Sequence, residues 1–168
     1  MLFMKLRICE SDGSVTISEF MKEIASVYNK YFPKSKCDVK FSTNFGSTIW
    51  IDCYLAGDKN EEPYGFWVND MFGVSFSIEL PDDTEKTSKV PDSITLTARS
   101  SFIKTKPSNK FLAFDAKKVP FRKITGSAEK ILSGFDKYVQ KLYNMVKTEY
   151  DNGNINDDKK SLVKDKLQ

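Results

Sequence analysis

Residues 39–54 read VKFSTNFGSTIWIDCY, and the period of this stretch decides the fold. Val39, Phe41, Thr43 and Phe45 alternate with Lys40, Ser42 and Asn44. After Asn44-Phe45-Gly46-Ser47 the alternation resumes, with Ile49, Ile51 and Cys53 set against Thr48, Trp50, Asp52 and Tyr54. Successive side chains of a β-strand point to opposite faces, so a period of two gathers each set on one side. The Asn-Phe-Gly-Ser tetrapeptide supplies turn residues between the two runs. A sheet is built here.

Upstream of residue 37 the period is helical. Thr16 precedes Glu19 by the spacing of a capping box, and Val15 and Phe20 occupy the two positions of a hydrophobic staple. Phe20, Ile24, Val27, Tyr28 and Tyr31 follow on one face, and Pro33 closes the element. Ahead of it, Leu2, Met4, Leu6 and Ile8 alternate with Phe3, Lys5, Arg7 and Cys9, which predicts a half-buried strand over residues 2–9, ended by the turn Ser11-Asp12-Gly13-Ser14.

Downstream, short runs with turn signals between them continue to about residue 118. Phe66-Trp67-Val68 and Val74, Phe76, Ile78, Leu80 make the next two, joined through Asn69 to Gly73 as a hairpin with Gly73 in a left-handed position. Ile94 and Leu96 alternate with Thr95 and Thr97, and residues 110–118 can form a final strand. Two polar segments interrupt them: AGDKNEEPYG (56–65), an exposed acidic loop, and PDDTEKTSKVPD (81–92), whose two prolines and lack of apolar period predict a mobile loop. A second helix starts at Ser127, with Glu129 in its first turn and Ile131, Phe135, Tyr138, Leu142, Met145 and Val146 as its buried stripe. The expected architecture is a single α+β domain over residues 1–150, an antiparallel meander of about six strands with an N-terminal and a C-terminal helix packed on it. Residues 151–168 offer almost nothing to bury and are expected to form a disordered polar tail.

Composition bounds the chemistry. The chain has 168 residues, 40% hydrophobic and 13% aromatic, enough for one core without metals or disulfides. No apolar run approaches the roughly 20 residues that span a bilayer, and Lys5 and Arg7 break the first apolar stretch, so a cytoplasmic location without a membrane partner is expected. Cys9, Cys37 and Cys53 are widely spaced and are read as small buried hydrophobes rather than as ligands, nucleophile or disulfide. The sequence contains no histidine, which excludes Ser-His-Asp, Cys-His and HExxH mechanisms. No catalytic set, metal site or cofactor is predicted, and an enzyme would need a carboxylate or lysine with a strongly shifted pKa in a pocket.

The positive charge is concentrated. Residues 99–130 hold nine Lys or Arg against Asp115 and Glu129, while residues 1–98 hold ten basic and fifteen acidic groups. A formal net charge of only +3 hides this asymmetry. Lys104, Lys106 and Lys110 lie on a basic loop containing Pro107, and Lys117, Lys118, Arg122 and Lys123 follow. Gly126, Ser127 and Lys130 form a helix start whose free amides and dipole suit an anion, although the spacing is not that of a P-loop. These ten residues are the candidate nucleic-acid or anion site. Phe102, Phe111, Phe114 and Phe121 fall among them and are read as the inward side of strands. Lysine outnumbers arginine 23 to 3, which suits point-charge contacts to phosphate better than bidentate reading of bases.

Two functions fit this pattern. The first is a non-enzymatic module that engages an anionic partner, most simply nucleic acid, with low sequence specificity. The alternative is a small phage- or mobile-element-type accessory or inhibitory protein that binds an acidic patch of another protein, its own acidic loops forming a second face.

Overall fold

The alternation at residues 37–55 produces a hairpin. The computed structural model describes residues 14–35, 37–55, 72–105, 110–111, 121–153 and 157–167. In it β1 (Cys37–Ser42) and β2 (Thr48–Leu55) pair antiparallel, Phe41 opposite Ile49 and Cys37 opposite Cys53. Ile49, Ile51 and Cys53 are buried, and Trp50 is on the other face. β3 (Phe72–Glu79) and β4 (Ile94–Thr105) extend the meander, and β5 (Lys110–Phe111) pairs the end of β4. β6 (Ile124–Gly126) pairs the start of β4. The antiparallel path β1-β2-β3-β4-β5 is thus five strands long, with the three-residue β6 off that path.

The β3–β4 register slips by one residue. Ser75 faces Ser100 and Phe76 faces Ala98, so Arg99 has no opposite number on β3. Such a bulge turns a side chain that a regular ladder would place elsewhere.

Helix α1 (Ile17–Tyr31) starts at the capping box expected of it. The Thr16 hydroxyl accepts from the Glu19 amide at 3.2 Å, and the Glu19 carboxylate accepts from the Thr16 amide at 2.9 Å. The next two amides are satisfied from afar, Ile17 donating to the Ser88 carbonyl and Ser18 to the Lys86 carbonyl, both at 2.9 Å. All four amides that a helix start leaves unbonded therefore have acceptors. The segment 81–92, expected to be mobile, is in fact held: Val90 donates to Val15, Ser47 Oγ to the Asp82 and Thr84 carbonyls, and Thr84 and Val90 are buried. Its backbone supplies the acceptors that the helix lacks, which no apolar period could announce.

α1 and α2 (Ala128–Asp151) pack against each other on one face of the sheet, α1 over β1 and α2 over β6 and β4. Phe76 is the centre of that layer, with ring centroids of Phe121, Phe135 and Tyr138 at 4.9, 5.5 and 5.6 Å in edge-on arrangements. Gly134 lets β6 approach α2, since a Cβ there would stand 2.4 Å from Ile124 Cδ1. Across the helix pair, Asp136 accepts from Lys30 Nζ at 2.8 Å and from the Tyr31 hydroxyl at 3.1 Å.

The tail is not the disordered segment expected. Asp157–Lys166 form helix α3, whose Val163 is fully buried. Lys34 pairs with Asp165 at 2.8 Å, the Lys166 ammonium donates to the Lys34 carbonyl, and Tyr143 donates to the Leu167 carbonyl at 3.1 Å. Buried Val163, partly buried Leu167 and these polar ties dock a helix whose composition alone gives it little to fold around. Gly73, expected in a turn, lies inside β3 opposite Phe102. The strands expected over 2–9 and 66–68, and most of 110–118, lie outside the described residues. No helix among those described is long and apolar enough to cross a membrane.

Candidate nucleic-acid interface along β4

β4 organises the basic stretch, because both of its ends take a further strand. At its end Lys104 is opposite Phe111 and Thr105 opposite Lys110, so Lys104 and Lys110 belong to one β-hairpin. At its start Ile94 is opposite Gly126, Thr95 opposite Thr125 and Leu96 opposite Ile124, and the two threonine hydroxyls meet at 2.9 Å. The chain entering β6 carries Arg122 and Lys123, both exposed. Ten residues of strand separate the two ends, about 33 Å at about 3.3 Å per residue.

Among the described residues, the candidates are therefore not one compact patch. Lys104 and Lys110 occupy one end of β4 and Gly126, Ser127 and Lys130 the other, while Arg122 and Lys123 precede Ile124, which is opposite Leu96, and so lie on the side toward the middle of β4. Lys106, Lys117 and Lys118 lie outside the described residues.

The helix start is an ordinary cap. Ser127 Oγ accepts from the Lys130 amide at 3.2 Å, and exposed Glu129 stands in the first turn. Gly126 has φ 154°, and a Cβ there would sit 2.5 Å from Lys130 Cδ. The close approach that glycine permits is taken by the methylenes of Lys130 itself rather than left open for a ligand.

Between the two ends, the bulge turns Arg99 onto the face away from the helices. Its Nε donates to Ser77 Oγ at 2.6 Å, its Nη2 to Glu79 Oε1 at 3.0 Å, and its guanidinium lies 5.6 Å from the Trp50 ring. Trp50 is 38% exposed and is opposite Lys40 on β1. Lys40 pairs with Asp38 at 2.8 Å, and that hydrogen bond holds its ammonium above the ordinary lysine value. Asp52 accepts from Ser75 Oγ at 2.6 Å. This face thus joins an accessible aromatic ring and two cations with three carboxylates, Asp38, Asp52 and Glu79, and is far from uniformly positive.

The Trp50–Arg99 pair was not legible in advance. The hairpin turn at Asn44 to Ser47 places Trp50 opposite the buried isoleucines, but nothing in the local sequence announces the slip that turns Arg99 towards it. Phe121, one of the rings interleaved with the lysines, belongs to the core, 5.1 Å from Tyr138 by ring centroids.

A second, opposite surface lies at the start of β2. Asp82, Asp83 and Glu85 line an open cleft with Gly46, Ser47 and Thr84. Beside it Phe45, at the hairpin tip, is 97% exposed. No family model matches the chain, and neither does any curated protein or solved structure.

Proposed function

We propose that the protein is a non-enzymatic binding module that engages an anionic partner, nucleic acid in the first instance, along the basic stretch carried by β4. One observation supports this above the rest: Arg99, Lys104, Lys110, Arg122 and Lys123 all belong to β4 or to chain paired with or leading into its two ends. Leu96, opposite Ile124, is eight residues from Lys104, about 26 Å at about 3.3 Å per residue, so these cations fall along less than one duplex turn of roughly 34 Å. An elongated series of lysines suits a phosphate backbone, which repeats its charge, better than it suits a single small anion. Lys104, Lys106, Lys110, Lys117, Lys118, Arg122 and Lys123 are the phosphate contacts in this reading. Trp50, with Arg99 stacked on it, is a platform for an unpaired base. Low sequence specificity follows from contacts made to backbone rather than to base edges.

A second reading draws on the cleft. An accessory or inhibitory protein that covers an acidic patch of another protein would use the same basic track, and exposed Phe45 beside Asp82, Asp83 and Glu85 would be its second contact.

Fluorescence anisotropy with labelled single- and double-stranded oligonucleotides, titrated from low to moderate salt, separates the two. Binding whose logarithm falls linearly with log salt supports the nucleic-acid reading. Lys104→Glu/Lys110→Glu and Arg122→Glu/Lys123→Glu should each lower the slope by roughly 2, with circular dichroism unchanged. No binding at low salt overturns it and directs the search to a protein.

A further inference from the structure

Two of the three cysteines meet. Cys37 opens β1 and Cys53 is near the end of β2, directly opposite it in the register set by the Asn44 to Ser47 turn. Their sulfurs are 3.8 Å apart. Residues directly opposite in an antiparallel ladder have Cα atoms about 4.5 or 5.5 Å apart. Both spacings fall in the roughly 4.4–6.8 Å range that disulfides bridge. Closing the sulfurs from 3.8 Å to a bond of about 2.05 Å needs side-chain rotation, not a rearranged backbone. Cys53 is 1% exposed, while Cys37 is half-buried at the sheet edge, so a reagent reaches Cys37 first.

We propose that Cys37 and Cys53 form a reversible disulfide that ties the edge strand β1 to β2 under oxidation. Burial pushes the Cys53 thiol up, so it stays protonated at neutral pH and acts second. With hydrogen peroxide as the oxidant, the Cys37 thiolate attacks one peroxide oxygen, the O–O bond breaks, and the departing hydroxide leaves as water with the Cys37 proton. The Cys53 sulfur then attacks the resulting sulfenic acid. Its S–O bond breaks, and hydroxide leaves as a second water with the Cys53 proton. Two thiols and one peroxide give one disulfide and two waters, a two-electron oxidation. A dithiol reductant reverses it by exchange.

The bond has a mechanical consequence. Among the described residues β1 ends the sheet path, held by β2 on one side and by α1 above. A covalent tie across its first residue pair removes fraying at that edge and closes the loop around the hairpin, which raises the melting temperature by roughly 5–10 °C.

The test uses the full chain carrying Cys9→Ser, leaving Cys37 and Cys53 as the thiols. After peroxide or glutathione disulfide, the expected result is an intact mass lower by two hydrogens, no alkylatable thiol, a linked peptide joining Cys37 to Cys53, a higher melting temperature, and full reversal by dithiothreitol. Cys53→Ser in the same background should instead stop at a sulfenic acid or glutathione adduct on Cys37. Two thiols that remain alkylatable, or over-oxidation of Cys37 while Cys53 is present, would overturn the proposal.

Discussion

Thr16 and Glu19 settle the start of α1 between them. The Thr16 amide, with its hydroxyl adding to the effect, holds the Glu19 carboxyl below its ordinary value of 4.5. A carboxylate favoured in the folded state contributes stability above its unfolded value and loses it as pH falls through the lower folded one. Asp165 behaves alike, lowered by its hydrogen bond from Lys34. Stability should therefore decline on acidification from about pH 4.5 downwards. Thr16→Ala should cost about 1 kcal/mol at neutral pH and flatten that decline, read from urea midpoints at several pH values. Phe76 sits at the other extreme of importance. Three rings pack edge-on against it, so Phe76→Ala should cost about 3–5 kcal/mol in the same assay, whereas the half-exposed Trp50→Ala should cost about 1 kcal/mol or less.

At the scale of elements, the segment 81–92 and helix α3 work as fasteners. The first completes the amide capping of α1, so the Ile17, Ser18 and Val90 amides should be protected in hydrogen exchange, at a level that a free loop would not reach. The second is anchored by the fully buried Val163. Val163→Asp should release residues 157–167 to fast exchange and to protease while α1, α2 and the sheet stay protected. Both segments were misread from sequence for the same reason. A hydrophobic period reports apolar burial, and these two are held mainly by backbone carbonyls, hydroxyls and an ion pair. α1, the β1–β2 hairpin and α2 were legible because each buries a continuous stripe, Phe20 to Tyr31, Ile49 to Cys53, and Ile131 to Val146.

At the scale of the whole molecule, the sheet separates two tasks. One face carries the helices and the aromatic core; the other carries Trp50, Arg99 and Lys40 in the open. In the proposed binding mode, Trp50→Ala should weaken single-stranded oligonucleotide binding by about 5- to 100-fold while leaving the salt slope unchanged, because stacking releases no counterions. Anisotropy at two salt concentrations checks both halves of that statement. The basic stretch itself was legible as a run in the chain, since charge can be counted without a fold. Its division between the two ends of β4 was not, because Lys104 and Gly126 are placed by long-range pairing.

By itself the sequence determined the α+β class, the two helices with their caps, the alternating faces of the strands and the absence of imidazole chemistry, all of which follow from local period or composition. Only the tertiary structure decided which strands bracket β4, that a slipped register turns Arg99 over Trp50, that Cys37 meets Cys53, and that a polar tail docks on Val163. The physical reason is common to these four. Hydrogen-bond ladders and single buried contacts join residues far apart in the chain, and no local pattern encodes the partner.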